Sequence, residues 1–179
     1  MSLVEWARRR TGTRQTATPR LWPVASAIVL GAALLGTAAG CTPQQAMETN
    51  VAIGLNRMRA GNSLPPLTVD PTLSAVARER ATDMATKGYF SHSPPDGCDF
   101  RCLFAKSNVT AAWSGEVIAW NDFSAADTVN EALLMWQDST VHFDLITNRC
   151  FTRMGTGVAT APDGRNYYVA VFEGRAPGC

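Results

Sequence analysis

Two helical periodicities early in the chain and two β-prone runs at its end constrain the fold more than any other feature. From Pro43 to about Ala60, Met47, Val51, Leu55 and Met58 recur every three or four residues, which places them on one helical face. Gly61-Asn62 stops that helix, and Leu64-Pro65-Pro66-Leu67 reads as an extended bridge. A second helix is predicted from Pro71 to Lys87, with proline at its start and Gly88 at its end. Leu73, Val76, Ala77, Met84 and Ala85 form its apolar side, with Arg78, Glu79 and Asp83 largely opposite. Residues 89–112 read as a loop-rich insertion with a Pro94-Pro95-Asp96-Gly97 turn and a helical turn near Leu103. A third long helix is expected from Ser124, with that hydroxyl as cap and Asp127 at the third position. Val129, Leu133 and Trp136 supply its apolar face. Met154–Thr160 and Tyr167–Glu173 are β-prone runs joined by a long turn, a hairpin signature. Helices first and strands last predict an α+β sandwich in which early helices cover a late antiparallel sheet.

Charge divides the chain in two. Residues 1–41 carry five arginines against one glutamate, net +4, whereas 42–179 carry eleven Lys and Arg against fourteen Asp and Glu, net −3. The later part lacks the basic excess expected of a nucleic-acid binder, and no heptad repeat or zinc-finger array is present. Arg8-Arg9-Arg10, Arg14 and Arg20 precede the uncharged stretch 21–40, which ends at Cys41. This reads as an export signal with a basic leading region. Three outcomes fit: lipidation at Cys41, an uncleaved membrane anchor, or simple cleavage. Each gives a 1–41 export segment and a 42–179 domain placed outside the cytoplasm, membrane-attached or secreted. In an oxidising compartment Cys98, Cys102, Cys150 and Cys179 are expected to form two disulfides. Of three connectivities, Cys98 to Cys102 with Cys150 to Cys179 is preferred, because it closes a short loop and ties the chain end to the core.

The chemistry-bearing residues are few. His92 and His142 are the two histidines, read as lying in polar loops at helix ends. Glu116 lies between them, entering the apolar run Val117-Ile118-Ala119. A carboxylate entering such a run must be paired or neutralised if buried. Two imidazoles and a carboxylate can bind a divalent metal or act as an acid/base pair, and a purely structural network is the alternative. Neither a GxSxG elbow nor an HExxH motif is present.

Several runs together resemble one known family. They are Leu55-Asn56-Arg57-x-Arg59, Ala77-Arg78-x-Arg80-Ala81-x-x-Met84-Ala85 and Gly88-Tyr89-Phe90-Ser91-His92-x-x-Pro95-Asp96-Gly97. Gly115-Glu116-x-Ile118-Ala119, Trp136-x-x-Ser139-x-x-His142 and Phe151-Thr152-x-x-Gly155-x-Gly157 follow in order. This series resembles bacterial members of the CAP superfamily, named for cysteine-rich secretory proteins, antigen 5 and plant pathogenesis-related 1 proteins. The resemblance implies a three-layer α-β-α sandwich and a cavity that eukaryotic members line with His, Glu, Glu and His. His92, Glu116 and His142 match three of these. Ser139 occupies the place of the second glutamate, with Asp138 one position out of register.

The expected function is therefore an extracytoplasmic ligand-binding or interaction module whose His92/Glu116/His142 cluster takes Zn²⁺ or another divalent cation. A lipid, sterol or cell-envelope component is the expected kind of ligand, and nucleic acid is not. A metal-dependent, protease-like hydrolase of the envelope and a structural envelope module are the alternatives. Trp113, Trp120 and Trp136 are read as packing residues, and Tyr89 and Phe90 as anchors of the His92 loop.

Overall fold

The computed structural model describes residues 41–174. Residues 1–40 of the expected 1–41 export segment, and Cys179, lie outside the described residues. Along the chain these residues form α1 (Pro43–Gly61), β1 (Thr68–Val69), α2 (Pro71–Lys87), α3 (Phe100–Lys106), β2 (Trp113–Asn121), α4 (Thr128–Gln137), α5 (Thr140–Ile146), β3 (Arg153–Thr160) and β4 (Asn166–Gly174). No helix among the described residues is long and apolar enough to cross a membrane.

Local chemistry accounts for the first two long helices. At the start of α1, Thr42 Oγ1 accepts the Gln45 N–H at 3.2 Å, and the Gln45 side chain accepts the Thr42 N–H at 2.9 Å. This capping box and Pro43 satisfy or remove donors that the first turn leaves free. Helix α2 starts where Asp70 accepts the Thr72 and Leu73 N–H groups, and it ends at Gly88, whose φ of +69° suits glycine.

The four strands lie in the order β1-β3-β4-β2. β1 runs parallel to β3, and the β3–β4 and β4–β2 pairs are antiparallel, so the sheet is mixed. Alternation along the strands sends side chains to two separate cores. Val117, Ala119, Met154, Val158, Tyr168, Ala170 and Phe172 pack with Val51, Leu55, Trp136 and Ile146 of α1, α4 and α5. Ile118, Tyr167, Val169 and Val171 pack with Leu73, Val76, Ala77 and Met84 of α2 and with Phe104 of α3. The predicted three-layer sandwich is present, with β1 and β2 added to the expected hairpin.

Close helix–sheet approach rests on two glycines. A Cβ at Gly155 would lie 2.0 Å from the Leu73 carbonyl carbon, and one at Gly157 would lie 2.2 Å from that of Ala77. Only glycine at both positions lets α2 rest on β3. The outer edge of β3 is closed by Glu48 of α1: Val158 N–H donates to Glu48 Oε1 at 3.3 Å, and Thr156 Oγ1 donates to the Glu48 carbonyl at 3.1 Å. Arg78 of α2 grips the same carboxylate at 2.7 Å and so joins the two helical layers around that edge.

Three elements differ from expectation. The sequence predicts only an apolar run at β2, a loop at α5, and a start at Ser124 for α4. Ser124 instead caps a turn, its hydroxyl donating to Asp127 at 2.7 Å, and α4 starts at Thr128. Buried Thr128 sets that start by donating to Asn121 Oδ1 at 2.5 Å and sharing a hydrogen bond with the Tyr168 hydroxyl at 2.6 Å. Cys98 and Cys102 form the expected disulfide. Cys150 is also disulfide-bonded, and the expected pairing with Cys179 falls outside the described residues. Cys41 is exposed and free.

Candidate functional site

The site grows from one charged residue on an apolar stripe. Arg80 falls between Leu73, Val76, Ala77, Ala81 and Met84 on the buried side of α2, where a guanidinium needs partners. Its Nε donates to Glu116 Oε2 at 2.9 Å, and both side chains are 1% exposed. Nη1 donates to the Tyr89 hydroxyl and Nη2 to the Ser91 carbonyl, each at 2.8 Å. Burial opposes the charge on Arg80, yet hydrogen bonding and attraction to Glu116 raise its pKa overall. Tyr89 in turn donates to Asp83 at 2.5 Å, and burial together with that bond pushes its phenol up to about 12. Tyr89 thus anchors the loop as expected.

This network presents His92. Its Nδ1 lies 2.8 Å from Glu116 Oε1, on a side chain that is 49% exposed. Both Glu116 oxygens are therefore engaged, one by Arg80 and one by His92. An open cleft of about 340 Å³ lies here, lined by His92, Asp99, Arg101, Leu145 and Ser114 to Glu116.

His142 is not in a loop. It lies on α5, is 8% exposed, and its Nδ1 is buried without a hydrogen-bond partner. Burial lowers its pKa, and the nearby positive charge of protonated His92 lowers it further. The two imidazoles are thus brought close enough to influence each other. Asp138 is exposed at the C-cap of α4 and Ser139 occupies the N-cap position of α5; neither lines the cleft. Among the described residues, no three of His, Cys, Asp and Glu are arranged to hold a metal ion. The reason at this site is the Arg80 pairing, which places Glu116 behind His92 as a partner in its hydrogen bonding. Reasoning from the sequence missed Arg80 as a site residue. Its position on the apolar stripe, together with a carboxylate in a later apolar run, was the available signal.

The tryptophans divide. Trp136 is fully buried and donates from Nε1 to the Ile118 carbonyl at 3.0 Å. Trp120 packs against the second core with Arg165 over its ring at 4.9 Å, while Trp113 is 40% exposed.

A mixed sheet lies between two helical layers, with a histidine–glutamate pair near the start of one edge strand, and this defines a three-layer α-β-α sandwich domain. Residues 54–172 match the model of the cysteine-rich secretory protein (CAP) family, and the chain belongs to that family. An uncharacterized protein of Bacillus subtilis (strain 168), YkwD, is 34% identical over 113 residues, covering 63% of this chain and 42% of that protein. The chain thus spans less than half the length of that curated relative. Among solved structures, an extracellular protein containing an SCP domain from Bacillus anthracis is 25% identical with a TM-score of 0.62. That match covers 74% of this chain and 41% of the other. An outer surface protein from Borrelia burgdorferi has the same fold at 20% identity and a TM-score of 0.63, over 73% of this chain and 94% of that one. The protein is an extracytoplasmic CAP-domain protein.

Proposed function

We propose that this domain is a binding module whose site is the cleft at the start of β2, and that His92, which lines that cleft, and the buried His142 behind it are the ligands of a divalent cation such as Zn²⁺. The observation that carries the cation reading is the buried, unpartnered His142 Nδ1, because an orphaned buried acceptor or donor costs about 1–3 kcal/mol unless something completes it. His92 offers Nε2, since Nδ1 faces Glu116. A carboxylate behind a ligating imidazole fixes its tautomer and raises its basicity, which is the part Glu116 plays in this reading. The cation would supply a Lewis-acidic point at which a carboxylate or other oxygen ligand attaches. No hydrolytic step is derived. The open cleft with its charged rim suits polar ligands better than a sterol or fatty acid, which would need an enclosed apolar pocket.

Zinc bound by the untagged full chain tests this, measured by mass spectrometry of the metal and by calorimetric titration. Wild type should hold one ion, and His92→Ala or His142→Ala should lose it. Glu116→Gln should keep the site with about 10–100-fold weaker affinity. Unchanged stoichiometry in the two histidine variants removes the cation from the function.

A further inference from the structure

Ser114 to Glu116 of β2 line the cleft. β2 is an edge strand, paired with β4 on one side only. Its backbone phase can be read from β4. The Glu173 carbonyl accepts from Thr152 N–H on the β3 side, and the Gly174 carbonyl accepts from Ala112 N–H on the β2 side. Antiparallel register pairs Ser114 with Glu173, so Ser114, and by alternation Glu116 and Ile118, direct their N–H and C=O groups away from β4. The Trp136 indole confirms the phase by donating to the outward Ile118 carbonyl, and it covers the edge there. Nothing among the described residues covers the edge at Ser114 and Glu116 in the same way. Glu116 is 6% exposed as a residue but 1% as a side chain, so the part of it that meets solvent is mainly backbone. The opposite edge of the sheet has its β3 groups closed by Glu48 and β1.

The geometry points to Ser114–Glu116 as a docking edge for an extended peptide from another protein, which adds as a strand beside β2 and places an acidic side chain against Arg101. Two outward residues offer donors and acceptors at the two-residue spacing that another extended main chain matches. The charges around the cleft select the side chain. Glu116 is neutralised by Arg80. Asp99 is committed to the Arg101 and Cys102 N–H groups and lies 3.5 Å from the Arg101 guanidinium. Arg101, 64% exposed and 4.6 Å over the Phe100 ring, remains to meet a carboxylate. This inference uses the same cleft but does not depend on a bound cation.

The test selects phage-displayed random linear dodecapeptides on the full chain in mild detergent, with and without EDTA, and measures the best synthetic peptide by fluorescence anisotropy. Wild type should enrich peptides with an acidic residue, in EDTA as well, whereas Arg101→Glu should lose that preference. N-methylating one alternate set of peptide amides should weaken binding about tenfold per lost main-chain bond, while methylating the other set should change it less than about twofold. Ser114→Pro removes an outward N–H that makes no ladder bond, and it should weaken binding with the sheet intact. Equal sensitivity to both methylation sets overturns strand addition without any protein variant. Failure to enrich acidic peptides, binding only in the absence of EDTA, or concentration-dependent self-association through this edge in place of peptide binding each overturns the proposal as well.

Discussion

At the residue scale, the decisive pair is Arg80 with Glu116. Removing one member of a buried ion pair leaves the other charge uncompensated and typically costs 3–5 kcal/mol. Arg80→Leu is therefore expected to lose about 3 kcal/mol or more in urea unfolding, with partial recovery in the double variant Arg80→Leu/Glu116→Leu. Recovery would separate the pair's own contribution from the cost of stranding a charge. His142 makes a pH prediction. Its pKa is lowered from 6.5 in the folded protein, mainly by burial. Above about pH 6.5 the imidazole is neutral in both states. As pH falls below that value the unfolded chain takes up a proton that the folded chain resists, so stability declines until the folded-state pKa is reached. In EDTA, His142→Phe should flatten the slope of unfolding free energy between pH 6.5 and 5; an unchanged slope would assign it to other groups. Glu116 as a carboxylate needing a partner was legible from its place ahead of an apolar run. The identity of that partner was not, because 36 residues separate Arg80 from Glu116 in the chain.

At the element scale, the contact between α2 and β3 is set by glycine. Gly155→Ala drives a Cβ into the helix backbone at Leu73, which has no flexible end to yield. A loss of about 3 kcal/mol is expected, at the upper end of overpacking costs, and a fall in Tm would report it. Gly61→Ala at the end of α1 is the control: its Cβ meets nothing within 4 Å, so stability should hold or rise by up to about 1 kcal/mol. Helices α1 and α2 were legible because caps, breakers and a one-sided apolar stripe agree locally. β2 was not, because its central residues are buried whichever way they point, and burial on both faces erases the period-two signal. α5 was hidden for a different reason. Seven residues with β-branched Thr140, Val141 and Ile146 carry little helical propensity, and no side chain caps its start. Tertiary contact completes it, as Arg59 donates to the Ile146 and Asn148 carbonyls at 2.8 and 2.9 Å.

At the scale of the whole molecule, two cores on opposite faces of one sheet share the load, and the cleft lies where the sheet's edge emerges between the layers. The Cys98–Cys102 disulfide spans only a four-residue separation beside that cleft. Closing so short a loop contributes about 2 kcal/mol in the chain-entropy account. Replacing both cysteines with serine should therefore lower stability by about that amount and speed amide exchange in 98–106, with β4 protection lost only on global unfolding. Faster exchange throughout the sheet would instead show that the disulfide supports the whole domain.

By itself the sequence determined the order of the long helices and the final hairpin and the extracytoplasmic setting, and it singled out His92, Glu116 and His142 as candidate site residues. Caps, periodicities, cysteines and motifs are written within short spans of chain, so they can be read there. Tertiary structure alone decided that Arg80 neutralises Glu116, that His142 is buried on a helix beside His92, and that the backbone of β2 faces an open cleft. Each depends on which distant groups meet after the sheet assembles, and on which edge of that sheet is left uncovered.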